Sequence, residues 1–110
     1  MADPSPQTLH VQACLDRVRG GGEAARGELL RRACERLRNL ARKMLRGYPN
    51  VRRWEQTDDV VQGAAVRLHW ALRQMTVETS RGFFRLAALN IRRELLDLAK
   101  RYPPEYEPPD

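Results

Sequence analysis

The sequence predicts an all-α fold, a compact bundle in which three long helices follow a short N-terminal one. Apolar residues recur every three or four positions along most of the 110-residue chain, which is the spacing of a helix face. No segment alternates apolar and polar residues with the period of two that marks a strand. Glycine and proline clusters at residues 20–22 and 47–50 are typical of breaks between helices. These observations predict one domain of four helices.

The first helix is predicted from about Leu9 to Arg19, after a flexible N-terminal arm of residues 1–8 that contains two prolines. Three consecutive glycines, residues 20–22, end this helix. Its predicted buried face consists of Leu9, Val11 or Gln12, Cys14, Leu15 and Val18.

The second helix is predicted from about Glu23 to Arg46, because Gly47 suits a helix cap and Pro49 cannot continue a helix. A loop follows, and Trp54 is expected to anchor it. The predicted buried face of this helix consists of Leu29, Leu30, Ala33, Leu37, Leu40, Ala41 and Met44.

The third helix is predicted to begin with Thr57 as its N-cap. Asp58 and Asp59 lie in its first turn, where carboxylates complement the positive end of the helix dipole. Its predicted buried face consists of Val61, Ala64, Ala65, Leu68, Leu72 and Met75.

The fourth helix is predicted from about Arg81 to Arg101, with Thr79 or Ser80 as its cap. The helical domain therefore spans residues 9–102. Residues 103–110 are rich in proline and acidic side chains, and they are predicted to form a stiff linker or tail. The predicted buried face of the fourth helix consists of Phe84, Ala87, Ala88, Ile91, Leu95 and Leu98.

The formal net charge of +6 favours a polyanion as a partner. The charge is uneven: residues 23–56 carry ten basic and four acidic side chains, and residues 83–102 carry five and two. Between them, residues 57–82 are balanced, with three of each sign. Two basic segments thus flank a neutral one.

Several classes of function are disfavoured by the composition. His10 and Cys14 are spaced as metal ligands on a helix can be, but no second pair accompanies them, so no metal or cofactor is predicted. No constellation typical of a catalytic site is present, and the prediction is that the chain is not an enzyme. Two cysteines without a framework spacing, no export signal and no apolar run of about 20 residues predict a cytoplasmic protein that does not enter a membrane.

Two segments resemble those of a known family. Thr57-Asp-Asp-Val-Val-Gln-Gly-Ala-Ala-Val-Arg-Leu resembles the polymerase-docking helix of bacterial sigma factors, and the segment from Phe83 to Arg101 resembles the promoter-opening helix that follows it. In order and spacing, residues 23–102 are similar to the second conserved region of the extracytoplasmic-function (ECF) class of the sigma-70 superfamily. The resemblance implies a domain that docks on core RNA polymerase and recognises and melts the promoter −10 element in transcription initiation.

For docking, the resemblance implies that an acidic residue and a glutamine one turn apart contact the clamp coiled coil of the largest polymerase subunit. These residues are Asp59 and Gln62 here, and Asp58 and Arg67 are expected to extend the contact. The sequence departs from the family pattern at Gly63, where Glu or Asp is usual, so weaker docking or a closer backbone approach is expected.

For DNA, the resemblance implies that the fourth helix contacts the separated non-template strand of the −10 element. Aromatic side chains stack on bases there, and basic side chains neutralise phosphates. Helical spacing predicts that Phe83 and Asn90 lie opposite the core, and residues 76–81 correspond to a segment that helps to capture a flipped base. The residues with the required chemistry are Phe83, Arg85, Asn90, Arg92, Arg93, Lys100 and Arg101.

Each assignment has a plainer alternative. The first-turn carboxylates can merely complement the helix dipole, the arginines can form a solvated face, and Phe83 can be a second core aromatic. The basic end of the second helix can guide duplex DNA or be ordinary surface. The alternative function is a basic helical nucleic-acid-binding or adaptor module that does not dock on polymerase.

The resemblance also implies partners and parts beyond this domain. An anti-sigma factor that masks the docking face is one such partner. Sigma factors of this class carry a second helical domain that reads the −35 element, and none is present in this sequence. The chain is therefore expected to be either a fragment of a longer protein, which its linker-like tail favours, or a short form that docks without full promoter selection.

Overall fold

The computed structural model describes residues 6–109, with side chains described from Val11 onward. It contains five helices: α1 (Pro6–Arg19), α2 (Glu23–Leu45), α3 (Pro49–Trp54), α4 (Thr57–Gln74) and α5 (Ser80–Arg101). Residues 6–109 include no strand. The predicted all-α fold is confirmed, with four helices of the predicted kind and one additional short helix.

The core lies where α2, α4 and α5 meet. In the packing, α4 contacts α5 and α2, and α2 also contacts α1 and α5. Small side chains at the junction, among them Ala64 and Ala87, let the helices approach closely, and the space between them is an apolar void of only about 10 Å³. Burial of this apolar surface is the main stabilising contribution to such a bundle. The largest fully buried side chains are Phe83, Leu15, Leu29, Leu68, Ile91 and Leu95.

The first helix is longer than predicted. It begins at Pro6, and proline is tolerated there because the first helical turn has no partner for its backbone N–H groups. Residues 1–5 of the predicted arm lie outside the described residues, as does the side chain of Leu9.

The predicted loop between the second and third of the four predicted helices contains α3, so the prediction of an irregular segment there was wrong in part. Pro49 occupies the first turn of α3, where its restricted φ favours helix formation. Val51 is 1% exposed and fixes this turn to the core. The Glu55 N–H donates to the Val51 carbonyl at 2.8 Å and closes the helix.

The helix ends differ from prediction at two points. The N-cap of α4 is Gln56 rather than Thr57, and the Gln56 backbone N–H donates to Asp59 Oδ2 at 2.9 Å. Met75, predicted to be buried, is 52% exposed, because α4 ends at Gln74 and the backbone of Met75 is extended. Thr79 is the N-cap of α5, as predicted, and its Oγ1 accepts from the Gly82 N–H at 3.0 Å.

The buried face of α5 is rotated from the predicted one. Phe83 is 0% exposed, whereas Phe84 is half-buried and the Arg36 guanidinium lies 4.3 Å from its ring centre. Asn90 is also buried, and its Nδ2 donates to the Leu86 carbonyl at 2.9 Å. The prediction that Phe83 and Asn90 lie on the exposed side of this helix was therefore wrong.

The start of α5 is tied to α1 by one side chain. Gln12 Oε1 accepts from the Ser80 backbone N–H at 3.0 Å and from Ser80 Oγ at 3.2 Å, and Gln12 Nε2 donates to the Glu78 carbonyl at 2.8 Å. A single amide thus satisfies three polar groups around the α4–α5 connection. This bonding joins residues 66 to 68 positions apart in the chain.

The segment after α5 folds back onto α3. The ring of Trp54 stacks with Tyr102 at 6.4 Å between centroids and meets the edge of Tyr106 at 5.2 Å. Tyr102 Oη donates to Glu55 Oε1 at 2.9 Å. This hydrogen bond raises the pKa of Tyr102 above its usual value, and burial adds to the rise. Residues 103–109, like the predicted tail, contain no helix, but Tyr106 packs this segment against the domain.

Truncation of Phe83 tests the rotated core face. We expect Phe83→Ala to lower the free energy of unfolding by about 3–5 kcal/mol, because it leaves a cavity at a fully buried site. Leu89→Ala, on the exposed side of α5, is the control and is expected to change it by less than about 0.5 kcal/mol. Urea denaturation of the three proteins measures both values. Equal effects of the two substitutions would contradict the core position of Phe83.

Removal of the Tyr102 hydroxyl tests the packing of the tail. We expect Tyr102→Phe to lower the free energy of unfolding by about 0.5 kcal/mol near pH 8, since the hydrogen bond is partly exposed to solvent. Because the folded-state pKa is raised, this contribution is complete below the ordinary phenol pKa of about 10 and is lost as pH rises further.

Urea denaturation at pH 8 and above pH 10 measures the difference from wild type, which should shrink at the higher pH. Tyr106→Phe is the matched control, because it removes a hydroxyl from the same aromatic cluster and leaves the Glu55 bond intact. A difference for Tyr102→Phe that is the same at both pH values would show that the phenol proton is not involved.

Candidate functional site

One side of α4 points away from the core along its whole length. Asp59, Gln62, Val66 and Trp70 are all exposed and follow one another at helical spacing, and these four residues define the outer face of α4. Its N-terminal half is polar and acidic, and its C-terminal half is apolar. The outer face therefore offers hydrogen-bond acceptors beside an apolar contact area.

The two predicted docking carboxylates have different surroundings. Asp59 is exposed, and its Oδ2 accepts from the Gln56 N–H, so this side chain also caps α4. Asp58 Oδ1 accepts from Arg38 Nε at 2.8 Å, an exposed ion pair between α4 and α2. The charge of Asp58 is thus partly offset by Arg38.

Arg67, the fourth predicted docking residue, is turned toward α5. Its Nη2 donates to Asp97 and its Nε to Glu94 Oε2 at 3.3 Å. The hydrogen bond that Arg67 donates to Asp97 raises the pKa of Arg67; burial opposes the rise, and the hydrogen bond to Glu94 adds to it. The ion pairs link the two helices, so Arg67 is not directed outward with Asp59 and Gln62.

Gly63 has a packing explanation. A Cβ atom at this position would overlap the carboxylate of Glu94, with Oε1 at 2.8 Å. The carboxylate therefore lies directly against the backbone of α4 one residue from Gln62. A side chain at position 63 and the present position of Glu94 are mutually exclusive.

An open groove of about 290 Å³ runs between α4 and α5 next to the outer face of α4. Three carboxylates and one guanidinium line it, although the chain as a whole is basic. The residues that line this α4–α5 groove are Glu55, Asp59, Gln62, Gly63, Val66, Glu94, Leu98 and Arg101.

The predicted DNA-binding residues divide into three groups. Arg85, Arg92, Arg93 and Lys100 are exposed on the side of α5 away from the core and define the α5 basic face. Arg101 is exposed but lines the α4–α5 groove instead. Phe83 and Asn90 are buried, so in this arrangement neither side chain is available to a DNA base.

Exposed leucines accompany the α5 basic face. Leu89 and Leu96 are 43% and 45% exposed and lie between the arginines. The exposure of these two leucines was not predicted, because an apolar residue in an amphipathic helix is ordinarily assigned to the core. The α5 basic face is thus partly apolar and contains no aromatic side chain.

Trp70 and Val66 were not among the predicted docking residues either. Trp70 is 55% exposed, and Arg73 stacks over its ring at 4.8 Å. The sequence signal for both residues is helical spacing, because intervals of three, four and four residues lead from Asp59 to Gln62, Val66 and Trp70. This spacing places Val66 and Trp70 on the face opposite Ala64 and Leu68.

The basic end of α2 contributes a second groove, of about 550 Å³, on the other side of the α4 N-terminus. Arg38, Arg42 and Arg52 lie around it. Arg38 is paired with Asp58, and Arg42 Nη1 donates to Asn39 Oδ1 at 3.0 Å. This is the patch that the sequence indicated as a guide for duplex DNA or as ordinary surface.

Residues 6–109 offer neither a metal site nor a helix that could span a membrane, as far as their side chains are described. Among the side chains of residues 11–109, no group of three or more His, Cys, Asp and Glu could hold a metal ion. His10, which has the spacing of a metal ligand relative to Cys14, has its side chain outside the described ones. In the same part of the chain, no helix combines the length and the hydropathy that crossing a bilayer requires.

Comparisons with known proteins identify the family. Neither the curated proteins nor the solved structures contain a match to the chain. Residues 8–104, most of the chain, match the family described as ECF sigma factor. Proteins of this family are transcription factors that act in initiation, with core RNA polymerase and promoter DNA as partners. The chain therefore belongs to the ECF sigma factor family.

Proposed function

We propose that this domain docks on the clamp coiled coil of core RNA polymerase through the outer face of α4. We also propose that α5 binds the separated non-template strand of the −10 element. The observation that carries it is the exposure of Asp59 and Gln62 on one face of a capped helix. Binding of the separated strand by α5 would favour the melted promoter over the duplex.

The chemistry of the outer face suits a basic helix. Asp59 and Gln62 are three residues apart and present a carboxylate and an amide on the same side of α4. Such groups accept hydrogen bonds from arginine, and charge-assisted bonds of this type are stronger than neutral ones. Val66 and Trp70 continue the face and supply exposed apolar area of the kind that is enriched at interface centres.

The chemistry of α5 suits a DNA backbone. The α5 basic face holds four exposed cationic side chains within about four turns, and phosphate contacts by such residues supply much of the affinity for nucleic acid. With Phe83 in the core, base contacts would come from Leu89 and Leu96 or from the 76–79 loop. Strand binding is thus proposed to depend mainly on phosphates.

The same face of α4 is the proposed target of regulation. An anti-sigma factor that covered Asp59, Gln62 and Trp70 would compete with polymerase for this surface. Exposure of Trp70 in a domain without a partner is consistent with such an interface.

Substitution of the outer face tests docking. Asp59→Asn keeps an oxygen that can cap α4 and removes the charge, so it separates docking from helix stability. We expect Asp59→Asn combined with Gln62→Ala to weaken binding to bacterial core RNA polymerase by at least about tenfold, measured by biolayer interferometry.

The matched control is Asp16→Asn combined with Gln74→Ala, which removes one exposed acid and one exposed glutamine elsewhere. It should bind as wild type does. Equal affinity of the outer-face variant and wild type would rule out this docking surface. No binding by wild type would leave a basic helical nucleic-acid-binding module.

Neutralisation of α5 tests strand binding. For single-stranded DNA, the logarithm of the binding constant should fall with the logarithm of salt concentration by roughly 0.7 per neutralised phosphate. We expect the combined variant Arg92→Ala, Arg93→Ala and Lys100→Ala to reduce this slope by about 2. Fluorescence anisotropy with a labelled oligonucleotide at several salt concentrations measures it.

A triple variant of α2 with Arg42→Ala, Lys43→Ala and Arg46→Ala removes the same charge from the rival basic surface. It should leave the slope for single-stranded DNA nearly unchanged. If the α2 variant flattens the slope and the α5 variant does not, the strand lies on α2 and the assignment to α5 is wrong.

A further inference from the structure

Glu94 of α5 reaches the surface of α4. Its carboxylate lies against the backbone of Gly63, in the space that any side chain at position 63 would occupy. The position is held by Arg67, whose Nε donates to Glu94 Oε2 at 3.3 Å. A carboxylate from one helix is thus displayed one residue away from Gln62 on the other.

The carboxylate has unused capacity to accept hydrogen bonds. An ionised carboxylate offers about four lone-pair positions on two oxygens. Arg67 Nε approaches only Oε2, and its guanidinium directs a second nitrogen to Asp97 instead. Glu94 also lines the α4–α5 groove, so its side chain faces a space large enough for another side chain.

The groove is complementary to a cationic side chain. Glu94 is joined there by Glu55 and Asp59, with Arg101 as the cation among the lining residues. Gly63, Val66 and Leu98 supply apolar surface against which the stem of an arginine or lysine can pack. The groove borders Asp59, Gln62 and Val66, so a helix seated on the outer face of α4 would pass along its edge.

We propose that Glu94 is a further contact residue for core RNA polymerase, accepting a hydrogen bond from an arginine or lysine side chain of the helix that docks on α4. This inference rests on the proposed function. It adds a residue of α5 to a docking surface otherwise formed by α4. Gly63 then has a specific role, because its missing side chain lets the carboxylate lie in the groove.

Two substitutions alter the Glu94 carboxylate in different ways. Glu94→Gln keeps the shape of the side chain and removes its charge. Gly63→Ala keeps the charge and displaces the flexible end of Glu94 from the backbone of α4. Alanine also favours a helix over glycine. Gly63→Ala should therefore maintain or raise the free energy of unfolding while it lowers affinity, a combination that a purely structural role of Glu94 does not produce.

The matched control is Asp97→Asn. Asp97 is the other carboxylate partner of Arg67, and it does not line the groove. The substitution removes one negative charge and weakens one ion pair between α4 and α5, as Glu94→Gln does. It distinguishes a contact with polymerase from the link between the helices.

Binding of each variant to core polymerase is measured by biolayer interferometry, and its unfolding by urea. We expect Glu94→Gln to weaken binding about tenfold, the loss of one charge-assisted hydrogen bond. Gly63→Ala should weaken it by about threefold or more, and Asp97→Asn should stay within about twofold of wild type.

Wild-type affinity of Glu94→Gln would overturn the inference, as would an equal loss in Asp97→Asn. If Asp59→Asn with Gln62→Ala abolishes binding but Glu94→Gln does not, the docking proposal stands and the role of Glu94 falls. If wild type itself does not bind polymerase, both fall together.

Discussion

The packing of α4 against α5 is the constraint on which the arrangement of the molecule depends. Ala64 and Leu68 of α4 meet Ala87 and Ile91 of α5 around a nearly closed apolar junction that α2 completes. Because these faces are buried together, the opposite faces of both helices must point to solvent. The outer face of α4 and the α5 basic face are therefore fixed relative to each other by the core, and a single rigid body presents both.

Charge is segregated by the same packing. Most basic side chains lie on α2 and α5, while the groove between α4 and α5 collects carboxylates from α3's end, α4 and α5. The ion pair of Asp58 with Arg38 of α2 offsets part of the acidic surface that the sequence of α4 suggests, and the ion pair of Arg67 with Asp97 turns a basic side chain of α4 toward α5. The acidic surface that α4 presents to solvent is thus smaller than its sequence suggests. Glu94 of α5 adds a carboxylate to it.

Periodicity predicted the fold class and the long helices because each has one apolar stripe. Periodicity did not show which of Phe83 and Phe84 is buried, because both are at helical spacing from Ala87 and Ile91. Which ring enters the core depends on how α5 is rotated against α2. Asn90 is buried and donates a hydrogen bond to a carbonyl of its own helix. Its burial was not predicted because a polar side chain is ordinarily assigned to the exposed side. The contribution of Glu94 to the groove could not be predicted either, because it depends on a contact between positions 31 residues apart.

Residues 76–79 and the start of α5 are held by an amide that belongs to α1. Gln12 bonds to Ser80 and to the carbonyl of Glu78, so the backbone of this connection is ordered by folding rather than by a ligand. A segment that is already ordered loses little conformational entropy when it meets a partner. The first helix thus supports residues 76–80 through Gln12, although Gln12 and Glu78 are 66 positions apart in the sequence.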